Sequence, residues 1–109
     1  MLSKDKRLNL KKDFKWVASG KRVELTHATI FIKIGENLFP RVGIALSGKY
    51  FKKAVERNRA KRVTSKALED IYGKLPNNIN IVALPKQRVL EVESKDLSLE
   101  YEKIISQLN

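Results

Sequence analysis

The sequence Arg57-Asn58-Arg59-Ala60-Lys61-Arg62 lies at the centre of a segment, residues 49–66, that contains eight Lys/Arg and one acidic residue, Glu56. Most of this segment belongs to a predicted helix over residues 53–72, which Gly73 ends. A run of positive charge this dense is hard to accommodate in a folded domain unless an anionic surface balances it. A folded RNA is the best candidate for that surface.

The same helix has an apolar side. Four small or branched residues share one face about 80° wide, which can pack on a sheet, while the basic residues fan around the remaining arc. These inward positions are Ala60, Val63, Ala67 and Ile71. The helix is therefore predicted to be amphipathic, with a basic outer surface.

Outward from this helix, the pattern predicts helix, strands, helix, strand, helix in chain order. Asp13 is expected to cap a short first helix that Gly20 ends, and the first twelve residues are basic and polar. The predicted helices cover residues 13–19, 53–72 and 96–108, and the predicted strands cover residues 28–34, 41–46 and 80–84. Whether residues 23–26 add a further edge strand is left open by the pattern. Gly43 within the third strand indicates close backbone approach or a bulge.

We therefore expect one α/β (α+β) domain, residues 1–109, with a small mixed sheet packed by three helices. Residues 1–10 are predicted to form a basic, flexible arm with a short ordered segment near Leu8 and Leu10. The aromatic residues Phe14, Trp16 and Phe31 are placed either in the core, which composition favours, or in a cleft where unpaired nucleotides stack.

Composition excludes several classes of function. The chain has no cysteine and one histidine, His27, so Cys-based zinc sites, thiol nucleophiles and two-His acid/base pairs are absent. His27 is predicted to be an ordinary surface or core residue. Neither an apolar stretch long enough to span a bilayer nor a signal-peptide core is present, so a cytoplasmic protein is expected.

The net charge of +11 is unevenly distributed along the chain. Residues 1–66 contain 18 Lys/Arg and five acidic residues, whereas residues 67–109 contain five and seven. This asymmetry predicts a polyanion-binding face on a neutral scaffold, without distinguishing RNA, DNA and acidic membrane. No pair of acids or glycine-rich phosphate loop indicates a catalytic site, so another molecule is expected to supply any chemistry.

Four ordered motifs resemble the protein subunit of bacterial ribonuclease P. The segment Ala54-Val55-Glu56-Arg57-Asn58-Arg59-Ala60-Lys61-Arg62 looks like the family signature, and Arg41-Val42-Gly43-Ile44-Ala45-Leu46-Ser47 resembles the strand before it. Leu10-Lys11-Lys12-Asp13-Phe14 with Gly20 resembles the N-terminal element, and Ile81-Val82-Ala83-Leu84-Pro85 the last strand. The motifs cover nearly the whole chain in the family's order.

The resemblance implies a ribosomal-protein-like fold with a left-handed βαβ crossover around the signature helix, against the general right-handed rule. It implies a ribonucleoprotein endoribonuclease whose RNA subunit is the catalyst and removes the 5′ leader of precursor tRNA with Mg²⁺. The Mg²⁺ is expected to be bound mainly by the RNA, with no cofactor bound tightly by the protein. Partners are then the catalytic RNA and precursor tRNA, with no membrane and no obligate protein partner.

Carried onto this chain, the resemblance implies two sets of site residues and no catalytic residue. The RNA-binding set is Lys49, Lys52, Lys53, Arg57, Asn58, Arg59, Lys61, Arg62 and Lys66. The set for the leader-binding cleft is Arg7, Lys11, Lys12, Phe14, Trp16, Ala18, Ile32 and Ser47.

Some positions depart from the family pattern. Gly48 stands where the first lysine of a Lys-Lys pair is usual, and Ala18 and Ile32 occupy cleft positions that are often aromatic. Ser65-Lys66 replaces a common Arg-Glu, which moves one positive charge by a residue.

Two other functions compete with this interpretation. One is an RNA-binding protein of ribosomal-protein-like fold without an enzymatic partner. The other is a DNA-binding module that places the basic helix in a major groove, although no short partner helix precedes it as a helix-turn-helix requires.

Overall fold

The computed structural model describes residues 4–108, which form one four-stranded sheet with helices on both faces. Short 3-10 helices lie at Lys4–Lys6, Tyr72–Lys74 and Gln87–Glu91. The helices are α1 (Leu10–Ala18), α2 (Ala54–Ile71) and α3 (Ser94–Leu108), and the strands are β1 (Lys21–Glu24), β2 (Ala28–Ile34), β3 (Arg41–Ile44) and β4 (Ile79–Pro85). The predicted element order and fold class are confirmed.

The sheet is mixed and has the strand order β1-β2-β4-β3. β2 pairs antiparallel with β1 and with β4, while β3 and β4 run parallel. Because parallel neighbours cannot be joined by a tight turn, the chain crosses from β3 to β4 through α2. The crossover therefore lays α2 against the sheet; its left-handed path stays a prediction.

Side chains alternate between the two faces of the sheet and build two unequal cores. On one face, residues such as Ile30, Ile81 and Val42 pack with α2 and α3 in the larger cluster. On the other face, Val82 packs with Val17 of α1 and with Leu8. The smaller core leaves that face only partly covered.

The inner side of α2 matches the helical-wheel prediction. Ala60, Val63, Ala67 and Ile71 are all buried in the larger core. The buried arc is wider than predicted, because Thr64, Ser65 and Leu68 are buried as well.

Residues 7–10, which belong to the predicted arm, contact the sheet. Arg7 forms a parallel bridge to Val42, Leu8 N donates to Val42 O at 2.8 Å, and Leu8 is buried. Residues 7–10 therefore cover the free edge of β3, because the unpaired backbone groups of an edge strand favour a further partner. Leu8 and Leu10 pack in the smaller core, while the flexibility of residues 1–10 stays a prediction, and residues 1–3 lie outside the described part of the chain.

The predicted cap of the first helix is wrong. α1 begins at Leu10 with Asn9 as N-cap residue, and Asp13 lies within its first turn. The helix begins before Asp13 because Leu8 and Leu10 are anchored in the smaller core. The Asp13 carboxylate lies in the first turn, where its negative charge interacts favourably with the positive N-terminal end of the helix.

His27 has the ordinary structural role predicted for it. Its Nδ1 contacts the Glu100 carboxylate, and its carbonyl oxygen accepts from Lys86 N at 2.9 Å. These contacts tie the β1–β2 connection to α3 and to the end of β4. Within residues 4–108, no helix is long and apolar enough to cross a membrane.

Candidate RNA interface

The basic face of α2 and of the segment before it lacks internal counter-charges. Among residues 4–108, no carboxylate lies within ion-pair distance of any of the eight Lys/Arg in residues 49–66. Some cations elsewhere do have carboxylate partners: Arg22 and Lys86 bind Glu24, and Lys74 binds Glu102. Unbalanced positive charge is thus concentrated where an anionic partner would have to lie.

Two arginines of this face also have structural contacts. Arg57 Nη1 donates to the carbonyl oxygens of Phe51 and Lys52 at 3.0 and 3.1 Å. Arg59 Nε donates to the carbonyl oxygen of Leu90 at 3.2 Å and is only partly exposed. Each guanidinium has further donors, so both arginines can hold the fold and still bind an anion.

The remaining predicted RNA-binding residues are exposed. Asn58, Lys61, Arg62 and Lys66 line one shallow depression on the outside of α2, together with Ser65 and Glu69. Lys49, Lys52 and Lys53 are exposed in the segment before the helix. All nine predicted residues thus belong to one continuous part of the chain, residues 49–66.

The segment before α2 is held by a turn at Ser47. Its carbonyl oxygen accepts from Tyr50 N and Phe51 N at 3.2 and 3.1 Å, and its Oγ accepts from Lys49 N at 3.2 Å. Phe51 is completely buried and anchors the turn. Ser47 therefore positions the lysines before α2, although the sequence prediction assigned it to the leader-binding cleft.

The sheet face beside α1 presents a cluster of aromatic and basic residues. The rings of Phe14 and Phe31 meet edge to face with centroids 5.9 Å apart, and both remain partly exposed. The Arg22 guanidinium lies 6.0 Å from the centroid of Phe31. Such a cluster can stack a nucleobase and neutralise its phosphate.

Arg22 is oriented by an acidic partner. Its Nη2 and Nε donate to Glu24 Oε1 at 2.7 and 3.1 Å. Hydrogen bonds from Lys86, Arg22 and Thr29 lower the pKa of Glu24 from 4.5 to about 2. Glu24 therefore stays ionised at neutral pH and holds the guanidinium beside the Phe31 ring.

A second exposed aromatic lies on the same side of the molecule. Trp16 is 42% exposed, and Lys33 Nζ lies 5.5 Å from its ring centroid. Lys33 Nζ also donates to Ser19 Oγ at 2.9 Å, which fixes the ammonium near the C-terminal end of α1. Trp16 therefore has an accessible ring, and its role in leader binding stays a prediction.

The prediction for Ile32 is wrong. Ile32 is 4% exposed and packs in the larger core, on the face of the sheet opposite α1. Phe31, which the leader-binding set omitted, faces Phe14 instead. Since a shift of one residue turns every side chain of a strand to the other face, the aromatic character of Phe31 was the signal that favoured this register.

The basic residues of the leader-binding set lie in different places. Lys11 and Lys12 are exposed on α1, and Ala18 is half-buried at its end. Arg7 lies at the edge of β3, where it lines a groove with Lys61 and Ser65 of α2. The structure therefore groups Arg7 with the α2 surface and not with Phe14 and Phe31.

Catalytic groups are sparse in the described part of the chain. Within residues 4–108, no three His, Cys, Asp or Glu side chains are arranged to hold a metal ion. Aromatic and basic side chains dominate both surfaces, which fits them for binding a polyanion through contacts to phosphates and bases.

Comparison with known sequences identifies related proteins. The family model described as Ribonuclease P matches residues 2–109. The ribonuclease P protein component of Blochmanniella pennsylvanica is 31% identical over 83 residues, which are 76% of this chain and 72% of that protein. The protein of the same name from Yersinia pestis is 33% identical over 76 residues, which are 70% of this chain and 63% of that protein.

Solved structures show the same fold. The RNase P protein from Thermotoga maritima superposes with a TM-score of 0.80 at 22% identity, covering 94% of this chain and 97% of that one. The RNase P protein from Staphylococcus aureus superposes with a TM-score of 0.74 at 19% identity, covering 94% of each chain.

Proposed function

Because the chain belongs to the ribonuclease P protein family, we propose that it binds the catalytic RNA of ribonuclease P and the 5′ leader of precursor tRNA on two separate surfaces. The basic face of α2, with Lys49, Lys52 and Lys53 before it, binds the RNA subunit. The leader lies on the sheet face beside α1. Cleavage of the phosphodiester bond is carried out by the RNA, with Mg²⁺ held mainly by RNA groups.

The absence of internal ion pairs in residues 49–66, among the described residues, carries this proposal. Each Lys or Arg that neutralises a phosphate releases condensed counterions, and the logarithm of affinity falls by about 0.7–0.9 per tenfold rise in salt for each contact. Six such contacts would weaken binding by roughly 300- to 2,000-fold between about 50 and 200 mM salt. A surface of this kind binds RNA tightly without any protein catalytic group.

The role of this face is electrostatic and positional. Two polyanions, the RNA subunit and precursor tRNA, repel each other, and cations between them reduce that repulsion. Arginines in this position can bind phosphates through two parallel hydrogen bonds, and Asn58 has a donor and an acceptor suited to a base edge or a 2′-hydroxyl.

The leader surface is supported by the geometry around Phe31. Phe14, Phe31 and Trp16 offer partly exposed rings, and Arg22 and Lys33 lie 6.0 and 5.5 Å from ring centroids. A single strand binds such a surface by stacking bases on rings while its phosphates contact nearby cations, at about 1–3 kcal/mol per stacked base. This mode tolerates many sequences, as a leader of variable sequence requires.

Reconstitution tests the proposal. The protein is mixed with a bacterial ribonuclease P RNA at low Mg²⁺, and the cleavage position on a precursor tRNA is mapped. We expect cleavage at the mature 5′ end at Mg²⁺ concentrations where the RNA alone is nearly inactive. No stimulation with an RNA that a known family protein activates would refute the proposal.

Separate variants test each surface. Arg62→Ala is expected to weaken binding of the RNA subunit, and Phe31→Ala to weaken binding of precursor tRNA with a long leader but not of one with a single-nucleotide leader. Lys95→Ala, on α3, is the matched control for loss of an exposed cation. If Phe31→Ala weakened binding of both substrates equally, the proposal that the leader binds on the sheet face would be refuted.

A further inference from the structure

A groove runs along the edge of the sheet between the N-terminal segment and α2. Its volume is about 160 Å³, and its walls come from Arg7, Leu8 and Leu10 on one side and from Lys61, Ser65 and Leu68 on the other. β3 forms the floor through Val42, Gly43 and Ile44. The groove exists because residues 7–10 dock on β3, so it could not be read from the sequence.

The charged residues of the groove are both positive. Arg7 and Lys61 line it from opposite walls, no acidic residue is among its lining residues, and neither cation has a carboxylate partner among residues 4–108. Two cations around one groove repel each other, so an anion between them would lower the electrostatic free energy.

Ser65 contributes a hydroxyl without a partner in the described part of the chain. It is only 8% exposed, yet its Oγ makes no hydrogen bond to any described group. Helical serines normally donate back to the preceding turn, as Ser98 and Ser106 of α3 do. The Ser65 hydroxyl is therefore available to hydrogen-bond to a ligand in the groove.

The apolar residues of the groove indicate that its ligand has an apolar part as well as an anionic group. Leu8, Leu10, Val42, Ile44 and Leu68 line most of the groove, and an inorganic anion would gain nothing from contact with them. Drug-sized ligands need pockets of roughly 300–1,000 Å³, so this smaller groove fits a single ring system. An anion attached to one flat, weakly polar ring matches this combination.

We propose that the edge groove binds one unpaired nucleotide of an RNA strand, with its phosphate between Arg7 and Lys61 and its base against Leu10 and Ile44, the partly exposed apolar residues of the groove. The Ser65 hydroxyl hydrogen-bonds to the base edge or to the ribose. The inference rests on the proposed function, in which the basic face of α2 binds the RNA subunit. It adds to that face a specific pocket for one extruded nucleotide.

Nuclear magnetic resonance on the full-length protein tests this site without the RNA subunit. Uridine 5′-monophosphate is titrated into ¹⁵N-labelled protein, with inorganic phosphate, uridine and octanoate in parallel titrations. We expect saturable shifts of the amides of Ile44, Ser65 and Leu68 with the monophosphate, and at least tenfold weaker shifts with phosphate or uridine alone.

Three variants sharpen the titration. Lys61→Ala should weaken binding of the monophosphate about tenfold, as expected for loss of a hydrogen bond to a charged group. Ser65→Leu should abolish binding by filling the groove, while Ser65→Ala, which keeps the backbone and removes only the hydroxyl, should weaken it. Lys95→Ala removes an exposed cation of α3, outside this groove, and should leave binding within twofold of the parent.

Several outcomes would overturn the inference. Shifts spread over all basic residues, or weakened equally by Lys61→Ala and Lys95→Ala, would indicate a diffuse electrostatic effect. Octanoate binding as tightly as the monophosphate would indicate a site for anionic amphiphiles. If Ser65→Leu fails to fold, as judged from its amide spectrum, Ser65→Ala and Lys61→Ala decide the question alone.

Binding to the RNA subunit then separates this inference from the proposed function. If the groove binds a nucleotide of the catalytic RNA, Ser65→Leu should weaken assembly with that RNA at least tenfold, although the substitution leaves the charge of the protein unchanged. Undiminished assembly by Ser65→Leu would overturn the pocket and leave the proposed function intact. No assembly by the parent protein would refute the proposed function, whatever the monophosphate titration shows.

Discussion

Arg57 and Phe51 are joined by a hydrogen bond of 3.0 Å from the guanidinium Nη1 to the backbone carbonyl oxygen. The same Nη1 reaches the carbonyl oxygen of Lys52 at 3.1 Å. A residue of the basic signature thus also closes the turn that leads into α2, and Arg59 does the same for the turn at Leu90. Substitutions at these arginines will therefore combine a structural effect with an RNA-binding effect.

The first prediction separates these effects by comparing Arg57→Ala with Arg62→Ala. Arg57→Ala should lower the free energy of unfolding by about 1–2 kcal/mol, because a charged donor is removed from two carbonyl groups. Arg62→Ala should change it by less than about 0.5 kcal/mol. Both should reduce the salt slope of RNA binding by about one. Urea unfolding and filter binding measure the two quantities; equal stability of the two variants would contradict the structural role of Arg57.

The second prediction concerns adjacent residues on opposite faces of β2. Ile32→Ala should destabilise the protein by about 2–4 kcal/mol, because it opens a cavity in the larger core. Phe31→Ala should cost less stability and should instead weaken binding of leader-containing precursor tRNA. Thermal unfolding should therefore show the larger loss for Ile32→Ala, and tRNA affinity the larger loss for Phe31→Ala. If one variant showed the larger loss in both measurements, the assignment of Ile32 to the core and of Phe31 to leader binding would be contradicted.

The third prediction tests the close approach at Gly43. A Cβ atom there would lie 2.9 Å from Leu10 Cδ2 and 3.3 Å from Leu8 Cβ. Gly43→Val should therefore destabilise the protein by about 1–3 kcal/mol and expose the amides of residues 8–10 to hydrogen exchange. At Gly48 no atom lies within 4 Å of such a Cβ, so Gly48→Val is the control and should leave exchange at residues 8–10 unchanged.

The fourth prediction concerns acid stability. The pKa of Glu24 is lowered from 4.5 to about 2 by hydrogen bonds from Lys86, Arg22 and Thr29, so its ionised form stabilises the fold. This contribution is fully present above about pH 4.5 and is lost as pH falls toward about 2. The melting temperature of Glu24→Gln should thus be lower than that of the parent at pH 7, with the difference shrinking below pH 4.5. A difference that is constant from pH 7 to pH 2 would exclude this linkage.

The fifth prediction concerns Tyr101. Its hydroxyl is buried without a hydrogen-bond partner among the described residues, and burial raises the pKa of the phenol. Tyr101→Phe should therefore leave stability unchanged or raise it by up to about 1 kcal/mol, since an unsatisfied buried polar group is removed. Denaturant unfolding measures the change. Destabilisation beyond about 1 kcal/mol would mean that the hydroxyl has a partner in solution.

The sequence predicted the features that depend on local pattern. The order of elements, the long basic helix and its apolar side all follow from periodicity and from turn residues, and each was confirmed. The apolar residues of α2 were identified because a helix repeats its inner face every three to four residues.

Features that depend on long-range packing were not predictable. Which face of the sheet Ile32 and Phe31 occupy depends on the register of β2, and a shift of one residue exchanges the two faces. A mainly apolar run such as residues 28–34 does not by itself determine that register. The docking of residues 7–10 depends on Val42 and Gly43, more than thirty residues further along. The contacts of Arg57 and Arg59 with carbonyl groups appear only once the turns at Phe51 and Leu90 are in place.

The hydrogen bond from Leu8 N to Val42 O has a consequence for the protein before assembly. An open strand edge is a template onto which another copy can add, and this is a common route to aggregation. Residues 7–10 cover β3 and so remove that template on one side of the sheet. Loss of residues 7–10 is therefore expected to expose the β3 edge and to favour self-association before the RNA is bound.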